Sequence, residues 1–330
     1  MSIEQNPPTD RGLVWALILD RAGGGTRVGW ETIASWRPEQ GLLWAHFDIT
    51  DPGPDAWIEE LAGLEPPIAA ALLAEDTRPR SAPSGNGLLV ILRGVNLNPG
   101  AEPDDMVSIR VWLEKDRIIT TRRRRLQTSS EIRDAITAGE GPVSSGDFLC
   151  FLVERMVDRI GDAVDELDGQ IDEVEESASD ENVMELRARL TELRRETAHL
   201  RRFMSPQRDA LERLVRVPDP ILTERDNLNI REQADRVLRF IEDLDLIRER
   251  GMMSQEELLS RLAYQQNQRI LLLSLVSCIF LPLTFLTGLM GMNVGGIPGA
   301  EKAFGFVAVT TVLIGFGAAM TVWFKRRNWL

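Results

Sequence analysis

Two long uncharged apolar runs near the C-terminus, residues 270–290 and 303–324, constrain the fold of this chain most. Each run holds about 20 residues, and at roughly 1.5 Å of rise per residue a helix of that length crosses a hydrocarbon layer about 30 Å thick. Inside lipid a segment must satisfy its own backbone hydrogen bonds. The two runs therefore predict two transmembrane helices joined by a short connection.

Composition places most of the chain outside the membrane. Of the 330 residues, 27% are charged and 43% are apolar, as in a soluble protein. The formal net charge is −13. The excess of acidic residues lies before residue 270, because residues 270–330 hold four basic residues and one acid. Such a balance disfavours nucleic acid as a partner and suits the attraction of cations.

Charges flanking the two runs predict the orientation of the chain. Arg261 and Arg269 precede the first run, and a basic cluster at residues 325–327 follows the second, whereas the connection carries only Glu301 and Lys302. Basic residues stay on the cytoplasmic side, so both termini are expected in the cytoplasm and the connection outside. The polar N-terminal stretch shows no signal-peptide pattern. We expect a multi-pass protein of the inner (cytoplasmic) membrane.

The first 145 residues alternate strand and helix signals and predict an α/β domain. Strands are predicted at residues 42–49, 87–97, 106–113 and 118–121, and residues 13–19 form a short apolar run. Helices are predicted at residues 55–64, 66–74 and 129–137. Glycine and proline predict loops at residues 23–25 and 79–87.

Long charged helices follow the α/β domain. Residues 146–222 predict antiparallel helices, and residues 223–290 predict a stalk helix that continues into the first membrane span. Ala234, Val237, Ile241 and Leu244 recur at helical spacing, which requires partner helices in the chain or in an oligomer. A break at Gly251 stays open, because residues 254–257 resemble a capping box.

One face of the first span is predicted to line a pore. Its small, polar and modestly apolar residues recur every three or four positions: Asn267, Ile270, Leu273 or Ser274, Ser277, Leu281, Thr284 and Gly288. Ser277 and Thr284 offer hydroxyl oxygens to an ion, and the aliphatic positions would form constrictions that gate by dewetting. One chain with two spans cannot enclose a pore, so several copies are required.

The C-terminal motifs resemble a known family. Pro282-Leu283-Thr284-Phe285, Gly291-Met292-Asn293 and the basic end at residues 325–330 resemble the CorA family of divalent-cation transporters. The following loop, Val294-Gly295-Gly296-Ile297-Pro298-Gly299, resembles the ZntB branch, which is associated with zinc. The close likeness covers about 65 C-terminal residues, and the preceding part matches in layout.

This resemblance implies a funnel-shaped homopentamer in the lipid bilayer, with an α/β cytoplasmic domain, a long-helix stalk and a pore lined by the first membrane helices. It implies that Asn293, with Gly291 and Met292, forms the pore entrance, at residues 291–302 outside the membrane. The transported ion would be Zn²⁺ or another divalent cation, with proton coupling linked to the zinc branch. No cofactor and no enzymatic activity are expected.

No carboxylate lies in either span, so a permeating ion is expected to stay partly hydrated and to be held by neutral oxygens such as the Asn293 amide. Glu301 is the only acid of the connection and could gather cations at the outer mouth. Ligands selective for zinc are not evident. His46, His199 and Cys278 are interpreted as structural or surface residues, and the metal-binding residues stay unknown.

Three alternatives stay open at this point. The first is a magnesium, cobalt or nickel channel of the same family. The others are an enzyme anchored by the two helices and a coiled-coil scaffold. The sequence leaves the cation, the direction of transport, the coupling and any regulatory metal sites undecided.

Overall fold

A computed structural model of the chain describes residues 12–51, 53–101, 105–177, 183–216, 220–292 and 303–327. The chain forms two compact units, Met1–Met253 and Ser254–Leu330. The predicted fold class is confirmed: an α/β unit is followed by long helices and two apolar C-terminal helices.

In the part of the chain that the structure describes, the first unit is built on one sheet. Its strands are β1 Leu13–Leu19, β2 Gly25–Val28, β3 Leu42–Asp48, β4 Arg80–Ser84, β5 Gly87–Gly94, β6 Val107–Leu113 and β7 Arg117–Arg122. Their order across the sheet is β2-β1-β3-β7-β6-β5-β4. β3 and β7 run parallel at the centre, and the other neighbours are antiparallel.

Short helices cover one face of this sheet. They are α1 Trp30–Ser35, α2 Pro54–Ala56, which continues as a π-helical turn at Trp57–Leu61, and α3 Pro66–Leu73. Ile58 and Leu72 from these segments pack with Phe47, Ile91 and Trp112 of the strands in one buried core. Alternation of side chains along each strand sends the neighbouring residues to the opposite face.

Longer helices cover that opposite face. They are α4 Gln127–Ala138, α5 Ser145–Ser177 and α6 Val183–Arg216. Trp44 of β3 meets Phe148 of α5 edge to face, with ring centroids 4.9 Å apart. The Ser81 hydroxyl of β4 donates to the Ala210 carbonyl of α6 over 2.7 Å. The sheet therefore lies between two helical layers.

One loop prediction is wrong, and the other is confirmed for two of its three residues. β4 occupies most of residues 79–87, whereas Gly23 and Gly24 lie in the loop before β2, which begins at Gly25. Both are edge strands, and Pro83 of β4 fits there because an edge strand does not need every backbone donor. The predicted strands are confirmed with ends that differ by a few residues. The apolar run at residues 13–19 forms β1, and α1 has no counterpart among the predicted helices.

The stalk begins with α7, Glu224–Met290, which runs through Gly251 without interruption. The apolar stripe at residues 234, 237, 241 and 244 is buried, so helices of the same chain cover it. Arg250 of α7 binds three carboxylates of α5: Asp168 at 3.0 Å, Asp172 at 2.5 Å and Glu175 at 2.6 Å. Packing and ion pairing thus align α7 with α5.

The second unit holds the C-terminal part of α7 and the helix α8, Ala303–Arg326. Both helices are long and apolar enough to cross a membrane. Only 6% of the most apolar window of α7 and 0% of that of α8 is buried. These surfaces require an apolar environment or further copies of the chain.

Candidate pore-lining helix

One face of α7 in the second unit is covered by α8. Leu275 is buried, and Ile279, Pro282 and Leu283 are half-buried. The Leu283 Cδ1 atom lies 3.8 Å from where a Cβ on Gly317 of α8 would stand. The small residue of α8 lets the aliphatic side chain of α7 approach, as is usual between membrane helices.

The predicted pore stripe lies on the opposite face. Ser277, Leu281 and Thr284 each come two residues after a covered position, which is about 200° around the helix axis. Every position of the stripe is exposed in the single chain: Asn267, Ile270, Leu273, Ser274, Ser277, Leu281, Thr284 and Gly288. The structure therefore brings these side chains onto one open face.

Hydroxyl groups in the two spans fall into two sets. Thr287, Thr310, Thr311 and Thr321 donate to a carbonyl three or four residues earlier in their own helix, over 2.8–3.0 Å. This is the usual way for threonine to satisfy its hydroxyl in a membrane helix. Within the described residues, the stripe hydroxyls of Ser277 and Thr284 make no such bond, so they are free to contact water or a hydrated ion.

The helix ends where the Gly-Met-Asn motif begins. Helix α7 stops at Met290, and the Gly291 amide still donates to the Thr287 carbonyl over 2.9 Å. A Cβ on Gly291 would lie 3.3 Å from that carbonyl oxygen, a tight contact that a shift of a few tenths of an ångström would relieve. Met292 is exposed. Asn293 and Glu301 lie outside the described residues.

Charges lie at the ends of the spans. Arg269 directly precedes the apolar part of α7, and Lys325 and Arg326 close α8. Between these ends the described part of both helices carries no carboxylate. A divalent ion on the stripe would therefore meet amide, hydroxyl and carbonyl dipoles, which compete weakly with its hydration water.

The histidine and cysteine residues considered as zinc ligands do not lie together. His46 and His199 lie in the first unit, and Cys278 lies on α7 in the second unit. His46 is fully buried in the first unit, where its Nδ1 lies 2.7 Å from the Thr120 hydroxyl and its ring stacks on Trp15. Its Nε2 has no partner among the described residues, so only one of the two ring nitrogens is hydrogen-bonded. His199 and Cys278 are exposed. Across the described ranges, no three His, Cys, Asp or Glu side chains converge to hold a metal.

Comparison with protein families decides the affiliation. The family described as CorA-like Mg2+ transporter protein matches residues 39–326. The chain belongs to the CorA family. CorA membership places it among transporters of divalent cations and confirms the resemblance read from Gly-Met-Asn and its flanking segments.

Relatives in the CorA family match nearly the whole chain. The divalent cation transporter CmaX of Pseudomonas aeruginosa is 40% identical, covering 97% of this chain and 98% of its own length. The zinc transport protein ZntB of Pectobacterium atrosepticum is 34% identical, covering 97% and 96%. The solved structure of full-length CmaX superposes with a TM-score of 0.85 at 37% identity, covering 98% of this chain and all of that one.

Sequence reasoning missed which face of α7 meets α8. Leu275, Ile279 and Leu283 are as apolar as the residues around them, so hydrophobicity alone does not separate the covered face. Gly317 is the signal that could have found it, because a small residue in α8 marks a close helix contact.

Proposed function

We propose that this CorA-family chain forms a homopentamer that carries divalent cations, zinc first among them, along the open face of α7. The observation that carries the proposal is the pairing of two opposite faces on one helix: one is covered by α8, and the other is exposed and bears hydroxyl and amide groups.

Several copies are needed because two helices cannot surround water. With α8 against one side of α7, a ring of α7 helices can place its stripe residues inward and leave α8 toward lipid. Leu273 and Leu281 then form aliphatic rings. Ser277 forms a hydroxyl ring between them, and Thr284 forms a second hydroxyl ring on the outer side of Leu281. Narrow aliphatic rings gate by dewetting, while hydroxyl rings replace part of the second hydration shell of an ion.

The proposed pore entrance is the Gly-Met-Asn motif. Asn293 supplies one neutral amide oxygen per copy to a hydrated ion, and Gly291 and Met292 fix the chain at the end of α7. Glu301 adds negative charge at the outer mouth. The absence of acids from the described part of the spans fits transport of an ion that keeps part of its water.

Zinc is favoured by the name of the ZntB relative, a zinc transport protein at 34% identity. The family description names Mg²⁺, and the CmaX relative is named only for divalent cations. Magnesium, cobalt or nickel flow is therefore the second candidate. Proton coupling is part of the zinc proposal, and a coupled proton would move on water rather than on a carboxylate of the spans.

The membrane placement completes the proposal. Basic residues lie before the first span and after the second, which supports an inner-membrane protein with both termini in the cytoplasm and residues 291–302 outside. Residues 1–145, 146–222 and 223–290 then form the α/β domain, the charged helices and the stalk with its first span. Residues 303–324 form the second span, and residues 325–330 form the cytoplasmic tail.

Purified protein in liposomes tests the proposal. Entry of Zn²⁺, Mg²⁺ and Co²⁺ is followed with metal-sensitive dyes, and an internal pH dye follows protons in the same vesicles. Asn293→Ala should abolish most of the flux, whereas Asn86→Ala, in the exposed turn between β4 and β5, should leave it unchanged. Transport is rejected if none of the three ions enters the vesicles, and the anchored-enzyme or scaffold alternative then takes its place.

The same assay ranks the ions. Faster entry of Zn²⁺ than of Mg²⁺, with a change in internal pH that depends on the metal, supports zinc with proton coupling. Faster entry of Mg²⁺ at constant internal pH supports the channel alternative. Chemical crosslinking of the detergent-purified protein counts the copies, and a ladder that ends below five bands rejects the pentamer.

A further inference from the structure

A cavity of about 550 Å³ opens at one end of the sheet in the first unit. Its wall combines residues of β5 and β6 with the segment after α3 and the end of β7. Among the described residues, four arginines and three acids line it: Arg93, Arg110, Arg123, Arg124, Glu75, Asp76 and Asp105. Nothing in the proposed transport pathway uses this cavity.

Three of the four arginines are paired with the three acids. Arg93 binds Asp76 at 3.1 Å, Arg123 binds Glu75 at 2.9 Å, and Arg124 binds Asp105. Each acid of the wall is thereby matched to one arginine. Among the described residues, the fourth arginine, Arg110, makes no ion pair, so the wall carries one positive charge in excess.

Arg110 is also the most deeply buried of the four. It lies in β6 between Ile109 and Val111, and only 1% of its surface is exposed. Its Nη2 donates to the Ala74 carbonyl over 2.6 Å and to the Glu75 carbonyl over 3.2 Å. Its Nε and Nη1 have no partner within the described ranges. A buried donor without an acceptor is costly, and more so when it is charged.

A structural role explains part of this arrangement. Ala74 follows the last residue of α3, so the Nη2 bonds of Arg110 cap a helix C-terminus, where a cation is favourable. That role uses one nitrogen of the guanidinium. It leaves two donors of the guanidinium without an acceptor within the described ranges, on a side chain that lines the cavity.

The charge of Arg110 persists at neutral pH. Burial first, and then the positive charges of Arg123 and Arg93, lower the pKa of Arg110 to about 10. The group is therefore positive at pH 7, in a wall where two of its neighbours repel it. An anion in the cavity would relieve this repulsion.

We propose that this cavity binds a small soluble molecule bearing a phosphate group, held by Arg110 at its floor and Arg123 at its rim. A guanidinium presents parallel donors that match a phosphate oxyanion. The Arg123 side chain is 38% exposed, which lets it turn toward an entering ligand. A cavity of about 550 Å³ is in the range that holds small organic ligands, and a bare halide would leave most of it empty.

Calorimetric titration of the full-length protein in detergent tests this proposal, with inorganic phosphate and pyrophosphate as probes and a chelator present to remove divalent metals. Wild-type protein should bind pyrophosphate saturably. Arg110→Gln and Arg123→Gln should each weaken binding about tenfold or more, because each removes a charge-assisted hydrogen bond. Arg27→Gln, on the exposed strand β2, is the matched control and should bind as the wild type does.

A variant that should bind more tightly distinguishes an effect on binding from an effect on folding. Glu75 competes with the ligand for Arg123, so Glu75→Gln should tighten binding up to about fivefold. A structural defect would not produce that gain. The proposal is overturned if wild-type protein shows no saturable heat with either probe at millimolar concentration. Wild-type affinity in both Arg110→Gln and Arg123→Gln would overturn it equally. Neither result depends on metal flux, so this experiment tests ligand binding independently of the proposed transport function.

Discussion

Replacement of Thr284 by valine should slow divalent-cation flux strongly while leaving the helix intact. Valine keeps the volume and the β-branch of threonine, so packing and backbone preference change little. It removes the hydroxyl that, in the described structure, makes no bond within its own helix. The change therefore removes one polar group per chain from the open face of α7.

The size of the effect follows from the number of hydroxyls that an ion meets. One neutral hydrogen bond contributes about 0.5–1.5 kcal/mol net. In the proposed pentamer, five copies at the lower value give roughly 2.5 kcal/mol, which is a rate loss of about 70-fold. If the hydrated ion touches two hydroxyls at a time, the loss is about 1 kcal/mol, or roughly fivefold. The loss of flux in Thr284→Val should therefore lie between about fivefold and about 70-fold.

The assay is initial-rate entry of the best-transported ion into liposomes at matched protein density. Thr311→Val is the control, because the Thr311 hydroxyl already donates to the Val307 carbonyl of α8 over 2.8 Å. It should change flux by less than about twofold. Wild-type flux in Thr284→Val, or an equal loss in Thr311→Val, would show that the open face of α7 does not line the pathway.

Three further predictions concern the first unit, and each is checked by thermal or denaturant unfolding in detergent. Arg250→Gln should cost about 1–2 kcal/mol, since it removes three half-exposed ion pairs, and the loss should shrink at high salt; a loss independent of salt would contradict this. Gly87→Ala should cost about 1–3 kcal/mol or more, because a Cβ there would stand 2.1 Å from the Trp112 ring. Gly169→Ala meets nothing within 4 Å and should be neutral or stabilising. Burial, then nearby arginines, hold the pKa of His46 well below its usual 6.5, so the unfolded chain takes up a proton first as the pH falls. Stability should then decline below pH 6.5 by up to about 1.4 kcal/mol per pH unit, and a His46→Gln variant that declines equally would refute this.

The apolar runs, the long helices and most strands could be predicted because each is a local pattern of hydrophobicity. The edge strand β4 was missed since its sequence, Arg-Ser-Ala-Pro-Ser, is typical of a turn. It becomes a strand only because β5 supplies hydrogen-bond partners and α6 accepts the Ser81 hydroxyl. Such tertiary support overrides weak strand propensity.

The candidate site was predictable to a similar degree. Helical spacing placed Ser277, Leu281 and Thr284 on one face, but only the structure shows that α8 covers the other. The role of Arg110 could not be predicted, since the sequence of an apolar strand does not show which carbonyl groups accept hydrogen bonds from a charged residue within it. Those groups belong to Ala74 and Glu75, which lie more than 30 positions earlier in the chain.

The parallel contact between β3 and β7 also sets an order of events during synthesis. Strands β1 to β3 and strands β4 to β7 can each assemble from neighbouring segments, whereas β3 and β7 must close a long loop before they pair. Until residue 122 has left the ribosome, β3 presents an unpaired apolar edge of the kind that invites aggregation. Residue 122 emerges well before the first apolar run at residue 270. The nascent chain can therefore close its sheet before it has to engage a membrane.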